Sequence, residues 1–172
     1  MRHGSKGLAL QAKTLTIKVA TMHRASTYSS LIVFIIVVAA VAMSGVHFQP
    51  GAWYAGLEKP WWTPPDWLFP PVWSVLYLMI AIAGWLIFTG TNILMKALWG
   101  TQLVFNGLWS WLFFGLHRTG LGLADMTALL ISIAALFAVA LSRQRSVAWL
   151  TGPYLLWVAY ALSLNAAIHV LN

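Results

Sequence analysis

The sequence predicts an all-α membrane protein, a bundle of five transmembrane helices whose Trp/Pro-rich first loop forms a lid. Three observations predict it. Hydrophobic residues make up 60% of the chain and charged residues 8%, with a mean hydropathy of +0.79. A soluble domain carries roughly 25% charged residues, so this chain has too little charge to cover a water-facing surface. Five apolar runs have the length a spanning helix needs, about 20 residues. Five of the eleven tryptophans (Trp53, Trp61, Trp62, Trp67 and Trp73) crowd the stretch between the first two runs, with four prolines from Pro60 to Pro70. An interfacial anchor needs only a ring or two per helix end; so many rings on a proline-stiffened backbone point to a rigid aromatic lid over a cavity.

Residues 1–28 form a basic N-terminal tail, expected to be disordered. It holds Arg2, Lys6, Lys13, Lys18 and Arg24 and no acid. Two readings stand for it: a cytosolic arm, including a start assigned upstream of Met22, or an organellar targeting segment. The remainder, 29–172, is one transmembrane domain with spans at about 29–47, 71–89, 93–116, 121–142 and 146–170. The breaks are the Trp/Pro segment, Thr89-Gly90-Thr91-Asn92, His117-Arg118-Thr119-Gly120 and Ser142-Arg143-Gln144-Arg145-Ser146. Three connections are so short that successive helices must run antiparallel. The tail, Lys96, Arg143 and Arg145 fall on one side and Lys59 and Arg118 on the other, so the positive-inside rule puts the N-terminus in the cytoplasm or its equivalent. The protein is thus integral and multi-pass in a membrane the sequence does not identify.

Several chemistries are excluded. With no cysteine there is no disulfide, thiolate nucleophile or Cys-ligated metal. The +7 net charge lies mostly in the tail, which suits a membrane surface, and no basic, aromatic-interleaved patch suggests nucleic acid. There is no Gly-x-Ser-x-Gly, phosphate-binding Gly loop, His-Glu-x-x-His or pair of carboxylates. A row of intramembrane acids, expected of a proton-coupled transporter, is also missing.

What remains is polar groups that lipid disfavours. The third span places Trp99, Gln102, Asn106, Trp109 and Phe113 at steps of three, four, three and four, hence on one stripe. The fifth span offers Pro153, Trp157, Ala161 and Asn165 at steps of four, with Tyr160 beside them, and the second adds Trp73 and Tyr77. Two readings stand: interhelical hydrogen bonds, or a pocket for a flat ligand with polar edges. Asp125 is expected near a helix N-terminus, stabilised by its dipole, with Arg118 as candidate counter-ion. Glu58-Lys59 reads as a surface pair. His47, His117 and His169 end three spans on the lid side, where headgroup polarity and helix C-termini account for them; ligation of a metal or haem iron is the alternative, and no metal site is expected.

Trp53-Tyr54, Leu57, Lys59-Pro60, Trp62, Pro64-Pro65, Trp67, Trp73 and Leu76-Tyr77 resemble the signature of the TspO/translocator protein family, the tryptophan-rich sensory proteins. Gln102, Asn106, Trp109, Phe113-Phe114-Gly115, Ala124-Asp125, Pro153-Tyr154-Leu155-x-Trp157 and Asn165 extend the likeness over about 28–170. The resemblance implies a five-helix bundle, a homodimer, and a first loop closing over a pocket for porphyrin or haem, with no obligatory cofactor and no metal site. Some relatives bind cholesterol, and some bacterial ones are reported to degrade protoporphyrin IX in light, a role that carries over to Trp53 and Trp157. The resemblance puts Trp73, Asn106, Trp109, Trp157 and Ala161 in the pocket; with the residues of the lid and the rows, the expected ligand-binding set is Trp53, Tyr54, Trp62, Trp67, Trp73, Tyr77, Gln102, Asn106, Trp109, Phe113, Trp157, Ala161 and Asn165. The chain departs from animal relatives in lacking a Tyr followed by a basic residue at the end of the fifth span, and in having Leu121 where they carry Trp. The expected function is tetrapyrrole sensing, sequestration or photodegradation, with transport of porphyrins or other hydrophobic ligands such as sterols as the alternative.

Overall fold

The computed structural model describes residues 30–172; the basic tail 1–28 lies outside the described residues. The helices are α1 (Ser30–His47), the single-turn α2 (Ala52–Ala55), α3 (Phe69–Thr89), α4 (Ile93–Ser110), α5 (Thr119–Arg143) and α6 (Arg145–Leu171). A 3-10 turn, Asp66–Leu68, leads into α3, and a π turn, Trp111–Gly115, continues α4. No strand occurs among the described residues.

Boundaries differ from expectation where prolines and glycines were read as breakers. The second span starts at Phe69 rather than 71 because Pro70 and Pro71 sit in its first turn, where a missing N–H costs no helical bond. The fourth starts at Thr119, so Gly120 and Gly122 are helical. Pro153 lies inside α6, and its ring deprives the carbonyl of Trp149 of an intrahelical donor.

Four segments (Ser30–His47, Asp66–Thr89, Thr119–Arg143 and Arg145–Leu171) are long and apolar enough to cross a bilayer. The α4 helix with its π turn reaches a similar length but is more polar, and its polar face explains where it sits. Gln102, Asn106 and Ser110 are buried, which is possible only if other helices surround that face. Phe34–Asn172 form one compact unit, in which α4 packs against α5, α5 against α6, α6 against α3 and α3 against α4. On α4's outer side α1 approaches closely: a Cβ at Gly107, Gly45 or Gly115 would meet Val41, Ser110 or Phe48 respectively. Small residues at such contacts let helix backbones approach in lipid.

The core runs through Leu76, Ile80, Leu103, Leu129, Ile133 and Val158, all buried. Gly84 of α3 is covered by the Trp99 ring, which a side chain there would strike. The Trp99 indole N–H donates to the Ile80 carbonyl at 3.0 Å. Large apolar side chains such as Ile131, Trp149, Leu156 and Val170 point outward, as a surface facing hydrocarbon requires.

Candidate functional site beneath the aromatic loop

The polar stripe of α4 forms as its spacing predicts. Steps of three, four, three and four sum to nearly whole turns at about 100° per residue, and Trp99, Gln102, Asn106 and Phe113 are all buried. Asn106 is the hub. Its Oδ1 accepts from the Tyr77 hydroxyl of α3 at 3.0 Å, and its Nδ2 donates to the Tyr154 hydroxyl of α6 at 2.9 Å. Tyr154 donates in turn to Gln102 Oε1 at 3.0 Å, and Gln102 Nε2 donates to the Trp99 carbonyl at 3.0 Å. Three helices are thus joined by one chain of hydrogen bonds.

A second knot lies nearer the loop. The Trp109 indole N–H donates to Asn165 Oδ1 at 3.0 Å, and Asn165 Nδ2 donates to the Thr119 carbonyl at 3.1 Å. Thr119 Oγ1 lies 2.9 Å from His169 Nδ1. Trp109 also stacks on Phe113, with ring centres 5.1 Å apart and planes 19° from parallel. The amides of α4 and α6 therefore tie helices together, and a ligand reaching them must share or displace these bonds.

The α6 row is where sequence reasoning missed a residue. Pro153 is exposed, whereas Tyr154, Val158 and Asn165 are buried. Each four-residue step overshoots a helical turn by about 40°, so the row Pro153, Trp157, Ala161, Asn165 winds away from a single face. Tyr154, 1% exposed, is central to the network. Its offsets of four from Val158 and eleven from Asn165 were the available signal.

The loop divides into two halves. In the first, α2 delivers Trp53 and Tyr54 onto the π turn. Trp53 stacks on His117, centres 4.3 Å apart and planes at 15°, and meets Phe113 edge-on at 5.7 Å. Tyr54 meets Phe113 and Phe114 edge-on. His117 has φ 55°, an uncommon conformation outside glycine, and it follows a π turn, a deformation frequent at functional sites. The Lys59 ammonium lies 4.6 Å from the Tyr54 ring centre and donates to the Leu57 carbonyl at 3.1 Å. Burial, and secondarily the charge of Asp66, raises the Tyr54 phenol above its ordinary value, so it is neutral at physiological pH.

The second half is held by backbone. Pro60 is buried, and Thr63 closes a turn on its carbonyl through both its N–H and Oγ1. The Tyr160 hydroxyl of α6 donates to the Trp62 carbonyl at 2.8 Å. At the chain's end, Asn172 accepts from the Glu58 N–H at 3.0 Å and donates to the Glu58 carbonyl at 3.1 Å. The rings of Trp61, Trp62 and Trp67 are exposed, Trp61 by 92%.

The sequence-predicted set therefore sorts by place. Trp73, Tyr77, Gln102 and Asn106 meet in the interior with Tyr154, while Trp109, Phe113 and Asn165 form the second knot. Trp53 and Tyr54 cover the π turn, and Trp62 and Trp67 show their rings outward. Trp157 sits under the second half of the loop, its ring centre 5.9 Å from Phe69 and 5.6 Å from Tyr160. Ala161, partly buried, also packs against the core. Trp53 and Trp157 share no ring neighbour among the described residues.

Two buried side-chain atoms among the described residues lack a partner: Trp157 Nε1 and Asp125 Oδ2. Asp125 corrects two expectations. Because α5 begins at Thr119, its first turn holds no acid and Asp125 lies beyond it. Arg118 is exposed and Asp125 is 8% exposed, so the two do not neutralise one another. Glu58 and Lys59 do not pair either; Lys59 turns back onto Tyr54. The three histidines have different partners, His47 against Phe48, His117 against Trp53 and His169 against Thr119, although His117 and His169 line one cavity. No group of three His, Cys, Asp or Glu that could hold a metal occurs among the described residues. Cavities of about 450 and 400 Å³ lie at opposite helix ends, the first along Ile87–Met95 and Arg143, the second along His117–Leu121 and His169.

Comparison with known proteins matches this arrangement. The sequence model of the TspO/MBR family covers residues 30–171. The chain is 38% identical over 149 residues to the protein CrtK of Rhodobacter capsulatus, spanning 81% of this chain and 91% of that one. It is 40% identical over 148 residues to the tryptophan-rich protein TspO of Archaeoglobus fulgidus, spanning 83% and 96%. Against the human translocator protein it is 37% identical over 131 residues, spanning 72% and 76%. With the loop, the α4 stripe and the α6 row all inside the matched region, this multi-pass membrane protein belongs to the TspO/MBR family.

Proposed function

We propose that the protein binds a tetrapyrrole, a porphyrin or haem, beneath the Trp/Pro loop, and that it senses, sequesters or, in light, degrades it. The observation that carries this reading is the indole N–H of Trp157, buried without a partner beside Tyr160, whose hydroxyl holds the loop down. An unmet buried donor costs about 1–3 kcal/mol, and a ligand acceptor at that point removes the cost. A tetrapyrrole suits the surroundings: a wide flat π-system for Trp157, Phe69, Trp73 and Tyr77, and carboxylates on one edge for the indole N–H and Lys59. An indole touching a photo-excited porphyrin can give it an electron, which the porphyrin anion passes to dioxygen. The indole cation then recovers an electron from the porphyrin, and the porphyrin cation combines with the superoxide to give the oxygenated product. That sequence needs none of the acid–base groups this chain lacks. Binding is favoured over transport because the polar groups of the interior bond to one another instead of lining a passage. The reading includes a homodimer, which light scattering of the detergent-free protein in nanodiscs would check.

Dark titration of protoporphyrin IX into the full chain in nanodiscs tests the reading. Trp157→Phe keeps a ring and removes the donor, so affinity should fall about tenfold, the equivalent of roughly 1.4 kcal/mol. Unchanged affinity would remove Trp157 from the site.

A further inference from the structure

We propose that the rim opposite the aromatic loop, where the α3–α4 and α5–α6 turns meet, holds the phosphate headgroup of an anionic phospholipid. The cavity of about 450 Å³ opens here, with Ile87 and Met95 on its apolar side and Thr91, Asn92, Arg143 and Gln144 on its polar side. Two of the polar groups are committed to the wall. Asn92 Oδ1 accepts from the Met95 N–H at 3.1 Å, and Gln144 Nε2 donates to the Leu86 carbonyl at 3.3 Å. Arg143, the last residue of α5, is exposed.

Its guanidinium has no carboxylate to answer it. The chain's three acids are Glu58, Asp66 and Asp125. The first two belong to the loop at the other end of the bundle. Asp125 is on the order of 25 Å away along α5, at about 1.5 Å per residue. Lys96 and Arg145 add further positive charge to the same rim, and the Lys96 ammonium is held 5.4 Å over the Phe88 ring. A cluster of bases without acids, at the ends of membrane-spanning helices, lies at the depth where lipid phosphates lie. The planar fork of Arg143 matches two phosphate oxygens. Ile87 and Met95 are buried at the cavity's base, but Phe88, Ile93 and Leu94, their neighbours in the chain, are exposed and offer an acyl chain apolar surface at this rim. A soluble phosphate ester would use the guanidinium but not that surface, so a lipid is the occupant that fits both.

The test uses the full chain in neutral detergent with dioleoyl phosphatidylglycerol or dioleoyl phosphatidylcholine added, and native mass spectrometry to count retained lipid. One phosphatidylglycerol should be retained in preference to phosphatidylcholine. Arg143→Gln should lower that retention at least fivefold, and Arg145→Gln, an equal charge change outside the cavity, less than twofold. Asn92→Asp should also lower it at least fivefold: aspartate still caps α4 but puts a negative charge in the cavity. Equal loss in the two arginine variants would mean diffuse attraction and overturn the site, as would equal retention of the two lipids. Displacement by millimolar sn-glycerol 3-phosphate would show a soluble ester site and overturn the lipid assignment. If Asn92→Asp fails to fold, judged by its thermal midpoint, the two arginine variants decide alone.

Discussion

Asn106 shows how one side chain both ties helices together and borders the proposed site. It joins α3 to α6 by bonding to two tyrosine hydroxyls, and it lies within the aromatic surroundings proposed for the ligand. Asn106→Leu keeps the volume roughly constant but strips Tyr77 of its acceptor and Tyr154 of a donor. The variant should lose about 1–3 kcal/mol of stability for the Tyr77 hydroxyl left unmet, Tyr154 keeping its bond to Gln102, read as a lowered thermal midpoint in nanodiscs. An unchanged midpoint would mean the network is not what holds these helices. The stripe containing Asn106 was legible in the sequence because alternate steps of three and four stay in phase with the helix. Tyr154 was not, because a row of fours drifts off the face. The unmet Trp157 N–H was illegible in principle, since a donor's partner depends on which helices come together. The same holds for Lys59, which adjoins Glu58 in sequence but folds back onto Tyr54.

At the scale of the element, the first half of the loop is fastened by the Trp53 and Tyr54 rings on His117, Phe113 and Phe114, and the rest by the Tyr160–Trp62 bond and the two-way Glu58–Asn172 clamp. The bond and the clamp are hydrogen bonds between exposed groups, so releasing them should cost less than disturbing the bundle. Tyr160→Phe combined with Asn172→Ala should raise hydrogen exchange of the 53–63 backbone about tenfold or more, leaving α3–α6 protected. Equal exchange in both proteins would show that the aromatic stack alone holds the loop. Its presence and proline-stiffened character were legible, and so were all five spans, to within two residues at every boundary. The two-residue differences fall at the starts of the second and fourth spans, because prolines and glycines in a first helical turn look in sequence like the end of a loop.

For the whole molecule, polarity is arranged along the bundle. The aromatic loop with its acids closes one end, buried amides and phenols knit the middle, and bases without acids mark the other end. A bundle so filled with its own hydrogen bonds favours capture beneath a lid over passage through a channel. On the proposed reading, a tetrapyrrole bound under the loop contacts Trp157, and light then drives its oxidation. The most direct measurement follows absorbance spectra of protoporphyrin IX bound to the full chain in nanodiscs, in darkness and under visible light, beside the Trp53→Phe and Trp157→Phe variants. Saturable binding and a spectrum stable in darkness are expected, with light-dependent loss of the porphyrin bands that falls at least tenfold in Trp157→Phe. Absence of binding would contradict the pocket, and equal light-dependent loss in all three proteins would contradict the part assigned to the tryptophans.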